Sequence, residues 1–515
     1  MASTGASEGG LRAPLLREEK RAEKMTVDGA LQKYCGEFGW WQLRHFVLAS
    51  LPWALEGIHT MVMIFADRDP GRRSSSPAAC GLGPRPWEWD GGPGSSTVAE
   101  FGLVCGLKYR VGLVQSLFFA GCMIGAGVFG HLSDSRMGRK GSLTIVCIMN
   151  AIFGVATAFS PNYWVYAVLR LLSGFSTGGT GLCAFVLSTE PIGPTKRGLV
   201  GMSTFYFFST GIALLSAIAY HFQTWRALYI ASSIPSVLYA LLVLPFLDES
   251  PRWCLVRGRA EEAMRIMQRI AKSNGRRRLP EEDVVLALDT EAKDECPETV
   301  KVSHIENLPP TSGSLVDVLW CPLTRVRLLL AVTINFMCAT VYYGLSLNAV
   351  NLGTNLYVSV ALNAVAEMPA YFLTAMLLDK LGRKPLAIGT QLFSGAFCVA
   401  GSLLKGYGKW KITRMMCGVF GIFGMAGTYN LLFIYTVELF PTTVRNAALG
   451  SATQAAQLGA ILVPFIVVLG GGIPFLVFGI CGVVGGLMSY FLPETLNKPL
   501  YDTMGGLEDG EGGGA

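Results

Sequence analysis

Charge is scarce in this chain. Only 15% of its 515 residues are Asp, Glu, Lys or Arg, against about a quarter in an ordinary soluble domain. Histidine numbers five, and no Cys-x-x-Cys or His/Cys cluster at metal-ligand spacing occurs, so no metal site is expected. Asn-x-Ser/Thr is missing throughout, which argues against N-glycosylation. The opening MASTGASEGG has no apolar core close behind a basic start, so a cleaved signal peptide is not expected. Neither a nucleophile–base pair nor a cofactor loop can be found, so neither an enzyme nor a cofactor is expected. The glycine-rich GFSTGGTG at 174–181 has no Gly-Lys-Ser/Thr behind it and no strand pattern before it. That sets nucleotide binding aside and leaves tight helix packing. A net charge of +6 does not point to nucleic acid, because the basic residues sit beside apolar runs and not along one soluble face.

What the chain has instead is apolar length: 51% of residues are hydrophobic and the mean hydropathy is +0.43. About twelve segments are long enough to cross a hydrocarbon core of about 30 Å as helices. They lie near 46–66, 111–129, 142–159, 164–188, 199–220 and 227–247, then near 328–347, 356–378, 385–404, 415–435, 447–469 and 474–492. The runs are continuous and do not alternate, which excludes a barrel. The expectation is an all-α membrane protein of twelve transmembrane helices in two six-helix halves. Residues 1–45 form a cytoplasmic N-terminus, and 46–247 the first half, with an extracytoplasmic loop at 67–108. A cytoplasmic linker at 248–324, the second half at 325–492 and a tail at 493–515 complete the chain.

Basic residues set the orientation. One side collects Arg12 to Lys24, then Arg136, Arg139 and Lys140, then Lys196 and Arg197, then Arg252 to Arg278, then Lys380, Arg383, Lys384 and Arg445. Both termini should therefore be cytoplasmic, although KGYGKWKITR at 405–414 is basic and falls on the other side. Most of the 13 cysteines lie in apolar runs. Cys80 and Cys105, in the long outer loop, form either a disulfide or two free thiols. Residues 260–273 have Ala263, Met267, Ile270 and Ala271 on one face, an amphipathic helix along the cytoplasmic side followed by the basic Gly275–Arg278. A polar linker at 279–313 and a disordered tail at 505–515 follow.

Three marks recur at an offset of about 245 residues. Gly138–Lys140, in GHLSDSRMGRK, returns at Gly382–Lys384, in LLDKLGRK. STEPIGPTKRG, with Glu190 and Arg197, returns as YTVELFPTTVRN, with Glu438 and Arg445; DESPRW, with Glu249 and Arg252, returns as PETLNK, with Glu494. Half the chain separates each pair, the signature of a duplicated six-helix unit. Asp134 and Asp379 precede the basic pairs, and a carboxylate there can face the positive end of a neighbouring helix. Such contacts can latch the two halves on one face and release as that face opens, or they serve only to set topology.

These residues resemble the loop motifs of the major facilitator superfamily, although the second copy has one residue fewer between Asp379 and Gly382. LQKYCGEFGWWQ, the long first outer loop, DESPRW and VELFPTTVRN resemble the organic cation/anion/carnitine transporter family. WALEGIHTMVMIFAD, WEWDGG and PETLNKPLYDTM resemble its plant branch. The likeness runs from Met25 to Met504 and implies a transporter of small organic solutes with a cavity between its halves. It places Glu367, in AEMP, at a cavity carboxylate and Tyr342, in VYYGL, at a cavity aromatic, with Asn335 two turns earlier on the same face. Where cation transporters carry an acid and anion or carnitine members a base, this chain has neutral Gln457.

An ionisable residue inside a span costs several kcal/mol unless it is paired or hydrated. Glu367 with Tyr342 and Tyr429 can hold a quaternary ammonium, each ring adding about 0.5–2 kcal/mol, or else it pairs structurally with another helix. Glu56 and His59, one turn apart, either relay a proton or make a helix–helix contact. Arg170 either pairs with one of these acids or is a structural cation. The reading is a secondary transporter of organic cations or zwitterions such as carnitine, with coupling to a proton or cation gradient resting on Glu56 and His59. Its partners would be that solute and membrane lipids, with no nucleic acid or nucleotide. The home is the vacuolar or the plasma membrane. An organic anion or sugar transporter, and a receptor-like protein that does not translocate, are the alternatives.

Overall fold

The computed structural model describes residues 23–70, 72–73, 88–135, 137–276, 284–286, 315–404, 408, 410–441, 444–496, 498 and 507. Among them eleven helices are long and apolar enough to cross a membrane, and a twelfth, Ile473–Ser489, is apolar but shorter. We label the spans α1 (Trp40–Ala66), α2 (Tyr109–Asp134), α3 (Gly138–Thr157), α4 (Tyr163–Thr189), α5 (Pro194–His221) and α6 (Trp225–Leu242) in the first half. The second half has α7 (Pro322–Leu347), α8 (Leu356–Leu381), α9 (Arg383–Leu403), α10 (Trp410–Leu439), α11 (Arg445–Leu469) and α12 (Ile473–Ser489). Among the described residues, extended structure is limited to two short pairs. Glu23–Met25 runs parallel to Val284–Leu286, and Arg72–Arg73 antiparallel to Glu88–Trp89. The twelve expected spans are all present. Several begin earlier than hydropathy suggests, because turns such as Arg383–Lys384 already belong to the helix that follows them.

Glycine governs the tightest packing. In α2 and α4 the backbones touch from both sides: a Cβ on Gly125 would stand 1.9 Å from the Phe175 carbonyl oxygen, and one on Gly174 2.0 Å from that of Phe118. GFSTGGTG is therefore a helix-packing surface, as small residues in apolar spans lead one to expect. The halves meet where α2 packs on α11 and α5 on α8, two contacts related by the internal repeat.

Each repeated turn closes the same hydrogen-bond ring inside its own half. Arg139 Nε and Nη2 donate to Glu190 Oε1 at 3.3 and 3.1 Å, and Nη1 donates to the Ser133 carbonyl and pairs with Asp134, both at 2.7 Å. Arg383 Nε and Nη2 donate to the two oxygens of Glu438 at 2.9 Å, and Nη1 reaches the Leu378 carbonyl at 3.2 Å and Asp379 at 3.5 Å. Glu249 then caps α3 through the backbone N–H groups of Arg139 and Lys140, and Glu494 caps α9 through those of Arg383 and Lys384. Gly138 and Gly382 have φ of 79° and 90°. A Cβ at either would meet the capping carboxylate at 2.4 or 2.6 Å, so conformation and space both demand glycine. Neither ring reaches across to the other half. The expected latch between halves is, in this conformation, a brace within each.

Ahead of α1, the segment Thr26–Glu37 straps the first half. Asp28 receives Arg197 Nη2 at 2.7 Å and also binds Arg252. Glu37 accepts from the Thr195 hydroxyl and N–H. The apolar face of Ala260–Ser273 follows the sequence reading, with Ala263, Met267, Ile270 and Ala271 buried, but it packs on Leu31, Cys35 and Trp253. Burial pushes the Cys35 thiol up to about 12. In the second half Arg445 turns back onto the carbonyls of Val437 and Phe440. Arg414, the last residue of the basic stretch on the opposite side, is buried, donates to the Gly471 carbonyl and lies 5.1 Å from the Phe475 ring. That charge staples the α11–α12 turn. Cys105 is disulfide-bonded. Cys80 lies outside the described residues, as do residues 287–314 and 508–515.

Candidate functional site

Glu367 sits midway along α8, 1% exposed, at the seam between the halves. Tyr342 of α7 donates to its Oε1 at 3.0 Å, and Tyr371, one turn further along α8, donates to Oε2 at 3.2 Å. Ser209 of α5, from the first half, also donates to Oε2. Three hydroxyls thus satisfy a carboxylate that would otherwise cost several kcal/mol in this setting. The Tyr342 ring lies 5.3 Å from that of Tyr429, and Tyr343 lies 6.4 Å from Tyr429 and 5.0 Å from Phe119 of the first half. Tyr371 packs against Phe205 and Tyr206 of α5 at 5.9 and 5.6 Å. The arrangement is an acid beside aromatic faces contributed by both halves.

The other expected residues are placed as follows. Asn335, two turns before Tyr342 on α7, donates to the Ala331 carbonyl at 2.8 Å and to Thr436 at 3.4 Å, not to Glu367. Gln457 presents a buried Oε1 with no hydrogen-bond partner among the described residues. Glu56 and His59 are not joined: His59 Nε2 pairs with Ser236 of α6 at 2.9 Å, whereas Glu56 lies against Gly181 of α4. Arg170 makes no ion pair among the described residues; it donates to the His59 carbonyl at 3.2 Å and stands 4.2 Å from the Phe118 ring. Sequence reasoning missed Ser209, Tyr371 and Asp28. Tyr371 was open to discovery, since it follows Glu367 by four residues on one helix face.

The face opposite the basic turns is closed by a clasp. Arg68, just beyond α1, donates to the Tyr357 hydroxyl at 2.7 Å, and the Tyr357 ring stacks on Phe65 at 5.4 Å. Tyr220 of α5 edges the same ring at 5.7 Å. Ser116 of α2 donates to the Ile461 carbonyl of α11 at 2.6 Å. On the basic face a cavity of about 950 Å³ opens beside the start of α3, lined by Lys140, Asp248, Glu249, Trp253 and Arg269. Its charges are already engaged, Lys140 with the Leu247 carbonyl and Arg269 with Asp248. Neither Glu367 nor any other residue of the second half lines it.

Among the groups outside the spans, burial raises the Glu249 carboxyl above the ordinary value against its backbone donors. At Glu494 burial also pulls upward, but four backbone N–H groups outweigh it and hold the carboxyl below that value. Asp28 is held low in the same way, by the Arg252 and Arg197 guanidiniums acting against burial.

The profile of the family described as sugar (and other) transporter matches residues 57–504. Organic cation/carnitine transporter 4 of Arabidopsis thaliana is 62% identical over 97% of this chain and 94% of its own length. The chain belongs to the organic cation/carnitine transporter family. A second such relative, organic cation/carnitine transporter 2 of the same plant, is 36% identical over 95% of each chain. The organic cation transporter protein of Drosophila melanogaster is 34% identical over 81% of this chain and 74% of its own. Among solved structures, the xylose transporter XylE of Escherichia coli in a partially occluded inward-open conformation superposes with a TM-score of 0.65. It is 19% identical over 89% of this chain and 100% of its own, a likeness of fold. The protein is a multi-pass membrane transporter with the major facilitator fold, and its relatives are transporters, not enzymes.

Proposed function

We propose that this transporter moves small organic cations, or zwitterions such as carnitine, by alternating access about a site centred on Glu367. The observation that carries the reading is the Glu367 carboxylate at the seam, beside Tyr342 and Tyr429. Its partners Ser209, Tyr342 and Tyr371 come from three helices and both halves, so a cation displacing any of them would loosen the seam. Gln457 and Asn335 shape the pocket wall. The names of the relatives support the same solute class. The basic face and both termini are assigned to the cytoplasm, with 1–45, 248–324 and 493–515 as its cytoplasmic segments. The vacuolar or plasma membrane is the home.

Gating would use the two braces. The side chains of Asp134 and Asp379 are 76% and 80% exposed, so they are the members able to reach the partner half when the basic face closes. Arg139, Glu190, Glu249, Arg383, Glu438 and Glu494 keep each helix pair rigid meanwhile, and the Arg68–Tyr357 clasp closes the opposite face. Proton coupling is assigned to Glu56 in α1; His59, bonded to Ser236, positions that helix.

The test is uptake of radiolabelled tetraethylammonium into vesicles. Losing a desolvated charge ligand costs about 2 kcal/mol or more, so Glu367→Gln should cut uptake roughly thirtyfold. Undiminished uptake would turn the reading toward an organic anion or a sugar.

A further inference from the structure

Glu367 spends both oxygens on hydroxyl donors. A second acid at the seam does not. Glu56 lies in mid-α1, half-buried, and among the described residues its buried Oε2 has no hydrogen-bond partner. Gly181 of α4 makes the room for it: a Cβ there would stand 2.0 Å from Oε2. One turn earlier on α1, Trp53 Nε1 is also buried and unpartnered.

The groups facing Glu56 leave its charge uncompensated. Cys122 of α2 lies within its field, which across the seam also reaches Tyr343 of α7 and Tyr429 of α10. Toward α5 the contact is made by backbone, with Gly57 against the Phe208 carbonyl and Gly211 against that of Ala54. On its own helix His59 is turned to Ser236, and Arg170 of α4 donates through Nη2 to the His59 carbonyl and stands over the Phe118 ring, while its buried Nη1 has no hydrogen-bond partner among the described residues. What joins the two acids is aromatic. Tyr342, bonded to Glu367, packs on Tyr429, and Tyr429 on Tyr343.

We infer that Glu56 is a second anionic ligand for the transported cation, and that Glu56 and Glu367, one from each half, select organic cations over zwitterions. The inference rests on the cation reading above and deepens it. An ammonium group lying against the tyrosine faces that run from Glu367 toward Glu56 would feel the field of an acid from each half. A zwitterion brings its own carboxylate into the same low-dielectric space and is repelled by both acids.

Equilibrium binding to the purified full-length protein in detergent, with no gradient present, separates a ligand role from proton coupling. The wild type should bind tetraethylammonium at least about tenfold tighter than carnitine. Glu56→Gln should weaken tetraethylammonium about tenfold and narrow that preference, while Glu56→Asp recovers part of the affinity. Gly181→Ala, which displaces the carboxylate without altering charge, should also weaken tetraethylammonium, and it serves if Glu56→Gln fails to fold. Carnitine bound as tightly as tetraethylammonium by the wild type would overturn the inference. So would unchanged tetraethylammonium binding in Glu56→Gln alongside its loss in Glu367→Gln, an outcome that leaves the cation reading standing. If neither substitution altered tetraethylammonium binding, both readings would fall.

Discussion

Replacing Glu494 by Gln should loosen the first turn of α9 and leave the matching turn of α3 unchanged. The Glu494 carboxylate accepts the N–H groups of Arg383, Lys384, Thr495 and Leu496 at 2.9–3.0 Å. Gln keeps the shape and one acceptor, but it loses the charge that complements the helix N-terminus and turns an amide NH2 toward the Lys384 N–H. A cap and its charge–dipole attraction are each worth up to about 1 kcal/mol, and partial exposure lowers the sum to roughly 1 kcal/mol. Local opening should then be about fivefold more frequent. Amide hydrogen exchange of the peptide spanning Arg383 and Lys384, corrected for intrinsic rates, measures this directly. The two caps should also answer pH in opposite senses. The Glu494 carboxyl is held low, so its contribution is present above the ordinary carboxylate value and is lost as pH falls through its lowered value. The Glu249 carboxyl is raised by burial, so its contribution is full below the ordinary value and declines as pH rises through its raised value. Acidification should therefore protect the α3 turn before it exposes the α9 turn. Equal behaviour of the two turns, or unaltered α9 exchange in Glu494→Gln, would refute the reasoning.

Two further outcomes are expected. Asp28→Asn leaves Arg197 and Arg252 facing each other without their shared acid. The half-buried site should lose about 1–2 kcal/mol, and limited proteolysis after Lys33 should speed up about tenfold; unchanged cleavage would mean the strap is held elsewhere. Tyr357→Phe keeps the stack on Phe65 but removes the acceptor of Arg68, a loss of about 1 kcal/mol. Maleimide labelling of a Ser116→Cys reporter should rise several-fold, Arg68→Ala should match it, and the double variant should add little. Additive effects would show that the two residues do not act as one clasp.

Much of the architecture was legible because the two signals involved are long or repeated. Twenty-residue apolar runs mark the spans, and charges at a constant offset mark the duplication. The repeat marked these charges in both halves without pairing them; the structure joins Arg139 to Glu190 and Arg383 to Glu438. What it did not foretell is that both rings close inside a half, since spacing along the chain says nothing about which of two neighbouring helices a carboxylate will face. Glu56 and His59 show the same limit. Three residues of separation gave a shared face, yet on a helix surrounded by protein a rotation of 60° is enough to send one side chain to α4 and the other to α6. Ser209 was hidden for a different reason, being one hydroxyl among many in apolar helices, with only the fold to bring it to Glu367. Arg414 read as a topological exception because a buried arginine and a loop arginine look alike in sequence.

The strap ahead of α1 makes the stretch just before it a poor place for a handle. Residues 26–37 are laced into the first half by Asp28, Glu37 and the Cys35 thiol on the Met267 carbonyl, and the strand at Glu23–Met25 is paired with Val284–Leu286. A bulky reporter joined close before Met25 would press on that lacing and on the helices it steadies.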